Sequence, residues 1–296
     1  MKRHNSILLV GAAHIDRYGR CDQTPVAGGS NPGRFTIMPG GAALNVASSL
    51  AALGVDVRLC SICGNDAEAE VILQVATARG MDLRAQISPD HPTATYTSIV
   101  GPDGGLVIAL ADMAIYETLD PASVDGVAEA DWLLIDANLS SGAIAKLLAD
   151  TSGRVAAMTV SYAKAGRLRP ALHQIEILFT NRAELAALCE RPVDAPMDDL
   201  LSRFSELGGR EAVVTDGPAD VWTVQKGAAE YHPVPAAPEI VDVTGAGDGL
   251  TAGCLATLIA GQSLDEAVPH GIRTAQAVLA VHGPWRTDLA TAIAQP

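Results

Sequence analysis

Positive charge is scarce in this sequence: 20 Lys and Arg stand against 34 Asp and Glu, a formal net charge of −14. The basic clusters that wrap nucleic acid or dock on an anionic membrane are therefore not expected. Lysine occurs only at Lys2, Lys146, Lys164 and Lys226, which leaves few candidates for a catalytic amine. A small anionic ligand is not excluded, because backbone dipoles act locally whatever the net charge. Any phosphate would be held mainly by glycine amides, a metal or a few arginines.

Also missing is an apolar run long enough to cross a membrane. "MKRHNSILLVGAAHID" begins like a leader, but Asp16 and Arg17 follow too soon after a short apolar run, so a buried first strand is expected instead. The five cysteines, Cys21, Cys60, Cys63, Cys189 and Cys254, are odd in number and scattered, which argues against a disulfide framework. Cys60 and Cys63 have redox spacing but lie in an apolar strand pattern, and read as core residues of a protein in the reducing cytoplasm. No GxxxxGK[ST] occurs, and Gly11-Ala-Ala after the first strand lacks the GxGxxG spacing. A P-loop nucleotidase is excluded and a dinucleotide fold disfavoured.

The chain does have apolar mass, 48% of 296 residues, enough for a large core. Strand and helix patterns alternate along it. Strands are expected at Ile7–Val10, Val55–Ile62, Trp132–Ile135, Val155–Val160, Ile175–Phe179 and Ala212–Thr215. Helices are expected at Ala42–Leu53, closing at Gly54, and at Ala67–Arg79, closing at Gly80. This rhythm predicts an α/β fold, a mainly parallel sheet flanked by helices. Two stretches break it: residues 14–38, and 91–112 with a turn at Gly101–Gly105. Together they are expected to form a small β lid on a single domain spanning 1–296.

Two glycine stretches carry chemistry. In "VDVTGAGDGLTAG" (Val241–Gly253) a helix is expected from about Gly247 to Ala260, with Gly245, Ala246 and Gly247 aiming free amides at one spot. Asp248 beside them either favours the helix dipole or accepts a proton from a hydroxyl attacking a phosphate. In "MPGGAALN" Gly40 and Gly41 precede a second helix with Asn45 in its first turn. This is either a tight turn or a close approach to a ligand whose hydroxyls Asn45 meets.

The pair "GGAALN" and "DVTGAGD", with "GAAHID", "GNDAEAE" and "TNRAE" between them, resembles the signatures of the ribokinase-like (PfkB) carbohydrate kinases, over almost the whole chain. The resemblance implies the family's three-layer fold with a small β lid, ATP and Mg²⁺ as cofactors, and a homodimer through the lid. It implies Asp248 as the base, and the Gly245, Ala246 and Gly247 amides as an anion hole. Asp16, Gly40, Gly41 and Asn45 would hold sugar hydroxyls. Asn181, Thr215, Gly217 and Thr244 would meet the nucleotide, Glu184 would organise Mg²⁺ partly through water, and Asp242 would begin a loop that takes K⁺ in many members. Each has a plain alternative: Asn181 with Glu184 also fits a helix cap, Asp16 a strand end and Asp242 a turn. Asp216 and "AVHGPWRTDL" depart from the family pattern, at the nucleotide and the cation site respectively.

"SNPGRFTIMPGG", "LADMAIYETL" and "DANLS" are similar to segments of pseudouridine kinases within that family. They imply Asn31, Asp112 and Asn138 as substrate contacts, although Asn31 also fits a turn and Asp112 a strand end. The implied activity is phosphorylation of a 5′-type hydroxyl, of pseudouridine first. Ribose, another nucleoside or a ketose are competing acceptors, and a non-catalytic sugar or nucleotide sensor is the competing class.

Overall fold

The computed structural model describes residues 6–218, 220–237 and 239–294. Its elements run β1 (Ser6–Val10), β2 (His14–Cys21), β3 (Gly33–Gly40), α1 (Ala42–Ala52), β4 (Asp56–Gly64), α2 (Ala67–Ala78) and β5 (Asp82–Ser88). Then come β6 (Thr95–Val100), β7 (Leu106–Asp112), β8 (Trp132–Asp136), α3 (Ser141–Asp150), β9 (Arg154–Met158), β10 (Ile177–Asn181), α4 (Arg182–Cys189) and α5 (Met197–Glu206). The chain closes with β11 (Glu211–Asp216), β12 (Asp220–Gln225), β13 (Ala228–Pro233), α6 (Ala246–Ile259), α7 (Leu264–Leu279) and α8 (Leu289–Ala294).

Nine strands form the main sheet in the order β13-β12-β11-β10-β9-β8-β1-β4-β5. From β11 to β5 every pairing is parallel; β12 and β13 add an antiparallel hairpin at one edge. Strand β8 explains the three layers. Its Leu133 and Ile135 join an apolar cluster with Leu147, Leu185 and Phe204, while Trp132 and Leu134 join another with Leu44, Leu50 and Leu255 on the opposite face. A strand buried on both faces needs helices on both, and the βαβ crossovers supply them. Among the described residues no helix is long and apolar enough to cross a membrane.

The two stretches that break the rhythm pair as a second sheet, in the order β3-β2-β6-β7. Its strands alternate inward and outward, with one register shift between Ile99 and Val100. Asp16, Tyr18, Tyr96 and Ala111 face the C-terminal ends of the parallel strands. Phe35, Ile37, Ile108 and Leu110 share the other face, each more than 60% exposed.

Boundaries fall close to the sequence reading: β10, expected at Ile175–Phe179, runs Ile177–Asn181, and three further differences stand out. Strand β9 stops at Met158, not Val160, whose backbone turns left-handed (φ 58°). Helix α6 starts one residue earlier than expected, at Ala246. The β12–β13 hairpin was not anticipated; its turn residues Lys226 and Gly227 both have positive φ (53° and 79°), as a tight twisted turn demands. Cys60 and Cys63 sit within β4 as expected, free and buried. Burial pushes their thiols up to about 11 and about 12, so neither is a reactive thiolate.

Candidate active site

A cavity of about 560 Å³ opens between the inner face of the second sheet and the C-terminal ends of the parallel strands. Asp16 and Tyr18 wall one side, Asn45 and Asp248 another, and Asn181 and Glu184 a third. Parallel sheets gather their loops and helix N-termini at this end. Helices α1, α4 and α6 all begin here, at caps Gly41, Asn181 and Gly245.

Gly40 and Gly41 act by being small. A Cβ on Gly40 would sit 2.0 Å from Asp16 Oδ2. One on Gly41, which has φ 107°, would sit 2.5 Å from the Ala12 carbonyl oxygen. Glycine there lets α1 start directly against β1 and β2. Asp16 is buried, with Oδ1 3.2 Å from His14 Nε2. The other His14 ring nitrogen lies 3.3 Å from the Tyr116 hydroxyl, which donates to the Ala13 carbonyl at 2.9 Å. Thus Asp16 is fixed from behind and faces the cavity.

Asp248 lies in the first turn of α6 but makes no capping bond. Its Oδ2 accepts a 2.7 Å hydrogen bond from Asn45 Nδ2 instead. Burial pushes its carboxyl up to about 7; the Asn45 bond opposes that, and the Asp136, Glu184 and Asp16 carboxylates add to it. The cavity-facing carboxyl can therefore both hold and release a proton near neutral pH. Asn45 Oδ1 is buried and finds no partner among the described residues. An unpaired buried acceptor is costly, and a ligand hydroxyl would satisfy it.

Asn181 Oδ1 accepts from the Glu184 amide at 2.9 Å, so the helix-cap reading of this pair holds in the geometry. Glu184 nonetheless faces the cavity, its carboxylate bonded to the Thr159 hydroxyl. Thr215 and Gly247, with Asn181, line both this cavity and a second, more apolar cleft of about 930 Å³. Gly217, Val221, Ile272 and Leu279 wall that cleft. Two ligand spaces thus meet at the N-terminus of α6, where the helix dipole favours negative charge.

A family model described as pfkB family carbohydrate kinase matches residues 4–289. The chain belongs to the pfkB family of carbohydrate kinases. It is a sugar or nucleoside kinase, a phosphotransferase with an alcohol acceptor, and its two-sheet architecture is ribokinase-like. The chain is 27% identical to the pseudouridine kinase of Escherichia coli (strain K12) over 277 residues, 90% of this chain and 88% of that one. It is 29% identical to the pseudouridine kinase of Arabidopsis thaliana over 191 residues, 61% of this chain and 50% of the plant protein. Among solved structures, a carbohydrate kinase from Agrobacterium tumefaciens superposes with a TM-score of 0.84 at 34% identity, covering 97% of this chain and 96% of that one.

Several residues singled out in this kinase's sequence are not brought to the cavity. The Asn31 side chain closes its own turn, accepting from Val26 N and donating to the Val26 and Gly29 carbonyls, on the far side of the second sheet. Asp112 ends β7 exposed, and its neighbours Ala111 and Met113 line the cavity in its place. Thr244 spends its amide on Asp242 Oδ1 at 2.9 Å, and Asp242 Oδ2 takes the Gly283 amide at 3.0 Å. Burial raises the Asp242 carboxyl, but those amide bonds outweigh it and hold the carboxyl below its usual range. Asp242 thus ties its own turn to the Gly283 loop and does not line the cavity. Ala246 N is directed at the Val243 carbonyl at 3.4 Å, a weak bond within the expected anion hole. Asn138 reaches the cavity, but its Oδ1 is taken by Lys164 Nζ at 2.6 Å.

The sequence reading missed His14, Tyr18 and Lys164 as cavity residues. His14 and Tyr18 share the Asp16 face of β2, two positions to either side, yet what surrounds them comes from elsewhere in the chain: β6 beside the strand, and Tyr116 at His14. For Lys164 the only sequence signal was the rarity of lysine itself.

Proposed function

We propose that this kinase transfers the γ-phosphoryl group of ATP to a hydroxymethyl (5′-type) hydroxyl of a nucleoside, with pseudouridine the best-fitting acceptor. One observation carries the transfer chemistry: Asn45 and Asp248, from the two signature stretches, bond to each other beside the place where the two ligand spaces join. The acceptor lies in the smaller cavity, its hydroxyls on Asp16 and the unpaired Asn45 Oδ1. Asp248 takes the proton of the attacking hydroxyl, and the Gly245 and Gly247 amides with the α6 dipole stabilise charge on the phosphoryl group. The nucleotide lies in the larger cleft past Gly217. Mg²⁺ arrives with ATP as part of the substrate; Glu184 offers its carboxylate to it, directly or through water. No step is assigned to K⁺.

The second sheet serves as the lid over the acceptor, and its exposed apolar face buries itself against the same face of a second copy. Identical faces bearing Phe35, Ile37, Ile108 and Leu110 suit a two-fold contact, and covering them removes a patch that would otherwise aggregate. Sedimentation equilibrium of the wild type and of a Phe35→Ser, Leu110→Ser variant checks this: a monomeric wild type sinks it. A reducing cytoplasmic compartment belongs to the same reading, supported by five free, buried cysteines.

ADP release with Mg-ATP against pseudouridine, uridine, adenosine, ribose and fructose tests the assignment. Highest kcat/KM with pseudouridine supports it. Turnover of ribose or fructose alone removes the nucleoside, and tight binding without turnover with any of them makes the chain a sensor.

A further inference from the structure

The cavity wall is acidic, with Asp16, Glu184 and Asp248, and Lys164 is the one Lys or Arg among the described residues that line it. Its ammonium makes one hydrogen bond, to Asn138 Oδ1, and no ion pair among the described residues. The nearby buried acid, Asp136, does not neutralise it by contact. Asp136 Oδ2 accepts from Ala12 N at 2.7 Å and Oδ1 from Asn138 N at 2.9 Å. A half-buried ammonium with donors to spare is uncommon unless something else accepts from it.

Its position is built rather than incidental. The loop after β9 turns through Val160, a β-branched residue in the left-handed region, a conformation held only where the surroundings enforce it. Arg167 pins the same loop, donating to the Asn138 and Leu139 carbonyls at 2.9 and 3.0 Å and to Glu117 Oε1 at 2.5 Å. Glu117 follows the segment through Met113 that walls the acceptor side of the cavity. These ties hold Lys164 beside the end of β8 and join its loop to the segment that follows the second sheet.

What the ammonium takes follows from its neighbours. Sugar hydroxyls have protons to give, and Asp16 and Asn45 Oδ1 already accept them. Lys164 has only protons to give; a hydroxyl can accept one, but a carbonyl or phosphate oxygen, with no proton of its own to place, is the stronger partner for a cation. We propose that Lys164 is the specificity-determining residue of the acceptor site: aimed by Asn138, it donates a charge-assisted hydrogen bond to a carbonyl oxygen of the ring attached to the sugar. Asn138 is the positioning residue. A phosphate on the anomeric carbon offers the same kind of oxygen and is the other source of this chemistry. The inference rests on the acceptor cavity being the smaller one, as argued above, but not on pseudouridine being the acceptor.

Lys164→Met and Lys164→Gln are assayed by ADP release with pseudouridine, uridine, ribose and ribose 1-phosphate, with folding followed by thermal melting. Losing a charge-assisted bond lowers kcat/KM for the substituted acceptor by about 10- to 100-fold. The loss is expected in the acceptor's KM and not in that of ATP, with ribose affected at least tenfold less. Gln, which still donates but carries no charge, recovers part of a carbonyl-dependent activity and none of a phosphate-dependent one. Asn138→Ala is expected to repeat the selectivity loss in weaker form. If ribose 1-phosphate alone is turned over and Lys164→Met abolishes that, the lysine inference stands while the pseudouridine reading falls. An equal loss on ribose, a raised KM for ATP, or a wild type that does not prefer substituted acceptors to ribose overturns the inference.

Discussion

Asn45 Nδ2 donates to Asp248 Oδ2 across 2.7 Å, joining two side chains 203 positions apart in the sequence. Each stands in the first turn of its helix, and α1 and α6 are brought together by packing in one apolar cluster through residues such as Leu44, Ala47, Leu250 and Cys254. The bond therefore depends on the core and in turn orients the carboxyl toward the cavity. Replacing Asp248 with Asn keeps the size of the side chain and removes its capacity to accept a proton. Loss of a general base costs about 10²–10⁴-fold in rate. We expect kcat of Asp248→Asn to fall in that range with the acceptor's dissociation constant nearly unchanged, measured by coupled ADP release and calorimetric titration. Near-wild-type turnover would remove Asp248 from the proton transfer.

The pH profile follows from the same carboxyl. With burial pushing Asp248 up to about 7, the ionised base is scarce under acidic conditions, so kcat/KM should rise with pH along a limb centred near 7. Asn45 stabilises the ionised form by donating to it. Asn45→Ala removes that bond and should move the limb to higher pH, on top of any rise in the acceptor's KM. A limb that stays put, or moves down, contradicts the role given to the bond.

Stability carries the opposite sign. A carboxyl pushed above its ordinary 3.8 binds a proton more tightly in the folded state than in the unfolded one. Its contribution to stability therefore falls as pH rises from about 3.8 to about 7, and stays low above that. Asp248→Asn carries no such cost. The inactive variant should thus be more stable than wild type at pH 8, by roughly 1–3 kcal/mol, an amount reduced by the carboxyl's opening onto the cavity. The advantage should shrink between pH 8 and pH 5, a pattern readable from melting curves across that range. A variant less stable than wild type at pH 8 would show that Asp248 holds the fold together rather than straining it.

How much of this could be read beforehand depended on how local the signal was. The starts of α1 and α6 were legible because glycine, a small residue and a polar first turn before an apolar run are local grammar. The second sheet was legible as two interruptions of a regular rhythm. The β12–β13 hairpin hid behind Lys226-Gly227, a turn without the Asn-Gly or Asp-Gly pair that advertises one. Asn31 and Asp112 were assigned from segment likeness, which cannot tell an inner from an outer position; Asn31 lies in a turn beyond the strands and Asp112 at the end of an edge strand. The Lys164–Asn138 pair joins loops that follow two different strands, β9 and β8, and only their adjacency in the sheet creates it. The site was legible where one segment builds it and illegible where two loops share it.

Gly40 offers the sharpest separation of shape from chemistry, because it contributes no functional group at all. A methyl group added there would fall 2.0 Å from Asp16 Oδ2 and 2.7 Å from its Cγ, well inside contact distance. The Asp16 side chain must then swing away or β3 must shift against β2, its partner through the His14–Gly40 and Asp16–Met38 register. Swinging breaks the 3.2 Å contact with His14 Nε2 and leaves the acceptor without its carboxylate. The change reaches Asp248 only through the Asp16 charge, the last-named of the influences on its carboxyl, and touches no residue that lines the nucleotide cleft. Gly40→Ala is therefore expected to raise the acceptor's KM by at least tenfold, with KM for ATP unmoved and kcat at saturating acceptor reduced far less than in Asp248→Asn. Destabilisation should be about 1–3 kcal/mol, the usual range for overpacking a tight contact. A Gly40→Ala enzyme with wild-type KM would mean that Asp16 does not hold the acceptor. One with a kcat loss as deep as Asp248→Asn would place Asp16 in the chemical step itself.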